Sequence, residues 1–291
     1  MNGLIDRHNV GSKGSITPHC SDEMYLSLLK KCLTRSVGRE RFRSIGPPRG
    51  SIRHWIYAPI QRSLALGGLA LVRTGVGDSH VREEGRDWPA DAETMIGHKR
   101  LDNIQTCLEQ VLRTQVPGDV IETGVWRGGA SIFMRGVLKV YGDTMRTVWV
   151  ADSFCGLPQP DVRRYPADAG DQHHTWEQLA VSLEEVRENF SKYGLLDDQV
   201  RFLPGWFSDT LRQAPIKQVA VLRLDGDMYG STMEAFTALY PKLSVGGFVI
   251  VDDYGSVAGC RQATEDFRTQ HGVTEPIEWI DQSGIFWKRL R

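Results

Sequence analysis

Four aspartates close two short apolar runs. Asp225 and Asp227 end Val219-Ala-Val-Leu-Arg-Leu-Asp-Gly-Asp, and Asp252 and Asp253 end Gly247-Phe-Val-Ile-Val-Asp-Asp. Carboxylates gathered in one place repel unless a cation or shared protons compensate them. The chemistry to expect is a divalent-metal site in an α/β enzyme.

Runs of this length, rich in Val, Ile and Leu, read as strands buried on both faces of a parallel sheet. Ligands of open α/β sheets bind beyond the carboxyl ends of the strands, so both pairs of acids point to one crevice. Strand and helix alternate around them: strands at Val120–Gly124, Thr147–Ala151, Val200–Leu203, Val219–Leu224 and Phe248–Val251, and a terminal β pair near Ile277–Ile280 and Gly284–Lys288. Helices are expected at Ala92–Leu112, after Gly129, at Thr232–Lys242 and at Cys260–Gln270. This alternation predicts a doubly wound, mostly parallel sheet.

The N-terminal third is less regular. Residues 1–22 are polar and read as poorly ordered. A helix starts near Asp22, with Met24, Tyr25, Leu28, Leu29, Cys32 and Leu33 on its apolar stripe. Ile45–Gly50 breaks the pattern. The apolar stretch 55–72 is interrupted by Pro59, Gln61, Arg62 and Gly67-Gly68, so it reads as a helix on the main domain, or as a lid or subunit contact, and not as a membrane span. Gly75–Arg86 reads as a linker. The organisation expected is an extension over 1–85 and a main domain over 86–291.

The 291 residues, 41% hydrophobic with a formal charge of −1, allow a large core and give no electrostatic footprint for nucleic acid. Five scattered cysteines without a CxxC pair argue against a disulfide framework or a structural zinc, and suit a reducing cytoplasm. No apolar run approaches the roughly 20 residues that span a bilayer.

A second set of residues suggests a nucleotide-like ligand. Ile121-Glu-Thr-Gly-Val-Trp-Arg-Gly-Gly129 is a strand, a glycine turn and a helix start, without the GxGxxG spacing of NAD sites. Glu122 can face a cationic ligand such as S-adenosylmethionine, whereas a pyrophosphate would disfavour it. Asp152 ends the next strand, where a ribose diol is held; its plainer reading is a cap or turn residue. Gly205-Trp-Phe-Ser-Asp209 is placed to wall an adenine or simply to pack. The connection 155–174, with three prolines and His173-His174, is too long to be idle and reads as a lid. Behind it, Thr175 and Gln178 form a capping-box pattern, and Trp176, Leu179, Leu183, Val186, Phe190 and Tyr193 make a helical stripe of core type. Arg223, inside an apolar strand, reads as half of a buried ion pair.

Several segments together resemble the macrocin O-methyltransferase family: Arg86-Asp-Trp-Pro89, Thr94-Met-Ile-Gly97, Glu122–Gly129, Asp152-Ser-Phe154, Leu195–Phe202, Leu224-Asp-Gly-Asp-Met-Tyr229 and Val251-Asp-Asp-Tyr254. The resemblance runs from about Met24 to the C-terminus and is weakest over 35–85. It implies a class I methyltransferase fold with a seven-stranded sheet, S-adenosylmethionine as donor, Mg²⁺, and a deoxysugar hydroxyl on a glycosylated antibiotic as acceptor. It also implies a homo-oligomer. By position, Glu122, Gly124, Ser131 and Asp152 would hold the donor, with Phe207 and Asp209 near its adenine and Met95 in the same pocket. Asp225, Asp252 and Asp253 would ligate the metal, and Asp227 would be the base. Gly230 stands where many members carry an acid.

On this reading donor and metal occupy separate strand ends. The competing functions are a catechol-type O-methyltransferase, a nicotinamide-dependent oxidoreductase and a non-catalytic methyltransferase-like binding protein.

Overall fold

The computed structural model describes residues 20–37, 40–44, 52–76, 78–89 and 91–291. The polar segment up to residue 19 and the break at 45–50 lie outside them. In chain order the elements begin with α1 (Cys20–Leu33), β1 (Glu40–Ser44), α2 (Ile52–Leu66), β2 (Val72–Val76), α3 (Ser79–Glu83) and α4 (His98–Arg113). There follow β3 (Asp119–Thr123), α5 (Gly129–Val140), β4 (Val148–Asp152), α6 (Leu183–Lys192) and β5 (Val200–Pro204). The chain ends with α7 (Phe207–Thr210), β6 (Val219–Leu224), α8 (Tyr229–Leu239), β7 (Leu243–Val251), α9 (Ala258–Gln270), β8 (Glu278–Trp279) and β9 (Ile285–Lys288).

The main sheet has seven strands in the order β5-β4-β3-β6-β7-β9-β8. The first five are parallel, and β9 runs antiparallel between β7 and β8. The expected class I methyltransferase sheet is therefore present. Its order reverses between β3 and β6, the switch point at which a crevice opens.

Strand alternation divides the core into two layers. Val120, Val150, Val221 and Ile250 face α1, α4, α5 and α6, where Leu29, Ile104, Phe133 and Phe190 are buried. Ile121, Trp149, Leu222 and Val249 face α8 and α9, where Phe236 stacks on Phe267 with ring centroids 4.6 Å apart. Because both faces are covered, the central strands lack polar alternation, and their acids gather at or near the strand ends.

Several expected boundaries move. The α1 stripe is rotated: Leu26, Leu29, Lys30 and Leu33 are buried, whereas Met24, Tyr25 and Leu28 are exposed. The packing of Leu29 on α5 sets this face, since a Cβ at Gly136 would lie 2.5 Å from Leu29 Cδ2. Helix α2 forms around Pro59, but its described residues are half-buried or exposed. The supposed linker holds α3, whose Arg82 is 1% exposed. Arg82 pairs with Asp87 at 3.1 Å and donates to the carbonyls of Asp87 at 3.0 Å and Met95 at 2.8 Å, and also to that of Ile96. These bonds anchor residue 87 and residues 95–96 ahead of the helix, and α4 starts at His98, six residues later than its apolar periodicity suggests.

Candidate active site

A cavity of about 820 Å³ lies beyond the carboxyl ends of the strands. Its floor begins at the switch point. Gly124 has φ +82°, and a Cβ there would stand 1.7 Å from the carbonyl oxygen of Asp225. Only glycine permits this contact between the turn after β3 and the end of β6. The approach is fixed by Asp225 N donating to Thr123 O at 2.9 Å.

On the β3–β4 side, Met95, Glu122, Gly124, Asp152 and Phe207 all line the cavity. Asp152 accepts from the backbone N–H of Val125 at 2.7 Å and of Phe154 at 2.8 Å, so it also orders both turns. Burial raises its pKa despite those bonds. Glu122 is 2% exposed, and burial pushes its carboxyl up to about 7, with Arg223 and Ser131 opposing. Two expected residues fall outside the lining. Ser131 is fully buried on α5 and donates to Glu122 from behind. Asp209 is exposed and accepts from Ser208 Oγ at 2.9 Å; Trp206 and Ser208 line the wall in its place. Helix α7 is one turn long, and the cavity takes only its N-terminal side.

On the β6–β7 side, Asp225, Asp252 and Asp253 each bring a carboxylate oxygen within 4.8 Å of the others. Burial raises the pKa of Asp225 and holds Asp253 far above the carboxylate range, with neighbouring acids adding to both. The buried Oδ2 of Asp253 has no hydrogen-bond partner. Two guanidiniums, Arg100 and Arg223, reach Asp252, and Arg223 also reaches Asp225 and Glu122. Glu122, Asp225, Asp227, Asp252, Asp253 and Asp281 outnumber these two cations. An all-oxygen donor set in which acids outnumber cations fits a hard divalent cation, which would take the place of the protons that the raised pKa values favour. Asp227 sits beside the set with φ +55°; burial, then the charge of Asp225, raises its pKa to about 7, and His173 opposes the rise.

The cavity roof comes from the connection after β4. Its Asp168 is 2% exposed and accepts from the N–H groups of Tyr229 at 2.6 Å and Gly230 at 2.9 Å, which open α8. A Cβ at Gly230 would stand 2.6 Å from the Tyr165 ring and 3.3 Å from Asp168 Oδ2, so the roof leaves little room for a side chain there. His173 bonds Asp171 at 2.7 Å and meets the Trp176 ring at 4.6 Å, and Trp176 meets Trp88 at 6.0 Å. The capping box at Thr175 does not form. Thr175 Oγ1 donates to Gln172 O, and Ser182 caps α6 by accepting from Glu185 N at 3.2 Å. Trp176 and Leu179, expected in the core, line the cavity.

The macrocin O-methyltransferase (TylF) family model matches residues 22–289. The chain belongs to this family. It is 50% identical over 267 residues to the Streptomyces olivaceus 8-demethyl-8-(2,3-dimethoxy-alpha-L-rhamnosyl)-tetracenomycin-C 4'-O-methyltransferase, covering 91% of this chain and 92% of that one. It is 47% identical over 277 residues to the Micromonospora griseorubida mycinamicin III 3''-O-methyltransferase, covering 94% and 99%. The solved structure of the O-methyltransferase NovP superposes with a TM-score of 0.79 at 46% identity, covering 93% of this chain and all of that one. This protein is accordingly an S-adenosylmethionine-dependent O-methyltransferase, which sets the nicotinamide reading aside. Among its described residues no helix is long and apolar enough to cross a membrane.

Proposed function

We propose that this enzyme methylates a deoxysugar hydroxyl on a glycosylated natural product of antibiotic biosynthesis and needs a divalent cation, Mg²⁺, to do so. The observation that carries the cation is the convergence of Asp225, Asp252 and Asp253 oxygens within 4.8 Å at the cavity floor. The acceptor class is supported by the relatives, whose names include a rhamnosyl-tetracenomycin and mycinamicin III.

In this reading Met95, Glu122, Gly124, Asp152 and Phe207 hold the donor, Ser131 fixes Glu122, and Asp209 stands at the outer edge of the adenine wall. Mg²⁺ held by Asp225, Asp252 and Asp253 would supply Lewis acidity, which lowers the pKa of a sugar hydroxyl. Asp227 takes the hydroxyl proton, and its raised pKa, near 7, suits it to receive one at neutral pH. The roof formed by residues 155–182 excludes water and orients the acceptor against the donor. Five free cysteines suit a reducing cytoplasm. Exposed Met24, Leu28 and Ile56 on the N-terminal extension suit a homo-oligomer.

The test offers a rhamnoside, its aglycone and a simple catechol to the enzyme, with Mg²⁺ and with EDTA. Methylation of the glycoside alone, lost in EDTA and restored by Mg²⁺, is expected. Turnover unaffected by EDTA refutes the cation, and preference for the catechol refutes the sugar.

A further inference from the structure

Glu122 and the acid cluster stand on different strands, yet one guanidinium touches both. Arg223, 1% exposed, donates through Nη1 to Glu122 and, at 2.8 Å, to Asp225, and through Nη2 to Asp252. The sheet register dictates this. Glu122 pairs with Arg223 across β3 and β6, and Arg223 pairs with Ile250 across β6 and β7, two residues before Asp252. Side chains two apart share a face, so Glu122, Arg223 and Asp252 lie side by side under α4 and α5. Those helices supply Arg100, which takes the other oxygen of Asp252, and Ser131, which takes the other oxygen of Glu122.

Glu122, Arg223 and Asp252 are almost fully buried, so water is a poor replacement for a lost member of the cluster. Removing one member of a buried ion network leaves the rest uncompensated, and members of one network do not act independently. The strand ends expected to serve donor and metal separately are distinct, but their acids share the Arg223 guanidinium.

We infer that Arg223 is a positioning residue that couples the donor wall to the cation wall, holding Glu122 in place only while Asp252 and Asp225 hold the guanidinium. The inference rests on the reading of Glu122 as a donor-facing acid. Donor affinity then depends on Asp252, at the end of a different strand, even without a metal ion.

The test is calorimetric binding of S-adenosylhomocysteine in EDTA-containing buffer to wild type, Asp252→Asn, Arg223→Lys and the double variant. Asp252→Asn is expected to weaken binding about fivefold or more, the lower end of couplings between linked sites. Lysine keeps the charge but cannot span three acceptors, so in the Arg223→Lys background the further effect of Asp252→Asn falls within about twofold, the scatter of independent sites. Wild-type affinity in Asp252→Asn, or an undiminished effect beside Arg223→Lys, overturns the inference. A second cycle, Glu122→Gln with Asp252→Asn, leaves Arg223 untouched in case its variant fails to fold. Additive effects there overturn the inference as well. If wild type does not bind S-adenosylhomocysteine, the donor reading itself falls and takes this inference with it. A separate Mg²⁺ titration of wild type examines the cation site alone.

Discussion

Asp168→Asn should unlatch the roof of the active site. The wild-type carboxylate accepts two N–H groups, from Tyr229 at 2.6 Å and Gly230 at 2.9 Å. Both belong to the first turn of α8, where backbone donors have no partner within the helix. Asparagine keeps one acceptor oxygen, and its amide nitrogen meets the second N–H donor to donor. One buried N–H is left unsatisfied, at a cost of about 1–3 kcal/mol. That corresponds to roughly a 5–150-fold larger undocked fraction. Trypsin reads this directly, because Arg163 and Arg164 are exposed on the same segment. Where the loop recloses faster than it is cut, cleavage tracks the undocked population. Cleavage between residues 163 and 165 should accelerate by that factor, and the KM of the acceptor should rise with it. An unchanged cleavage rate would refute the latch, whatever happened to turnover.

Arg82→Met strands Asp87 and three carbonyls in the interior and should cost about 3–5 kcal/mol; a denaturant midpoint within error of wild type would contradict it. Asp227→Asn should lower kcat by roughly 10²–10⁴ while S-adenosylhomocysteine still binds. Asn tolerates the left-handed φ of this position, so the backbone should hold, and wild-type turnover would remove Asp227 from the proton step. Burial raises the Glu122 pKa to about 7 in the folded protein. Between the ordinary carboxylate range and that value the folded state binds the extra proton, so stability falls as pH rises through the window. In EDTA the urea midpoint of wild type should decline relative to Glu122→Gln between pH 5 and about 7, and parallel curves would exclude the shift.

The sheet was legible because strands covered on both faces are simple apolar runs: the second half of β7, Phe248–Val251, is wholly apolar, and β6 is broken only by Arg223. That exception reported the most important buried contact in the site, although its three partners could not be assigned without the register. Acids at strand ends were legible for the same reason. Asp209 and Ser131 stand one turn of helix or one layer of packing away from the cavity lining, which chain position alone does not reveal. The roof was harder. Trp176 and Leu179 continue the periodicity of α6, and only tertiary contacts direct them to the cavity. Arg82 and Arg100 gave no local signal, because a buried arginine is defined by carbonyls and carboxylates far from it in sequence.

The contact between Gly124 and Asp225 bears on how such an enzyme can change. The turn after β3 and the end of β6 meet backbone to backbone, with no side chain between them to lengthen or shorten. On the proposed assignment, the spacing between the donor-side turn and the cation-side acid is therefore set by backbone packing between β3 and β6. The roof, latched by one carboxylate, carries no such constraint. New acceptors can be accommodated by redrawing the roof while the spacing of the two walls stays where β3 and β6 put it.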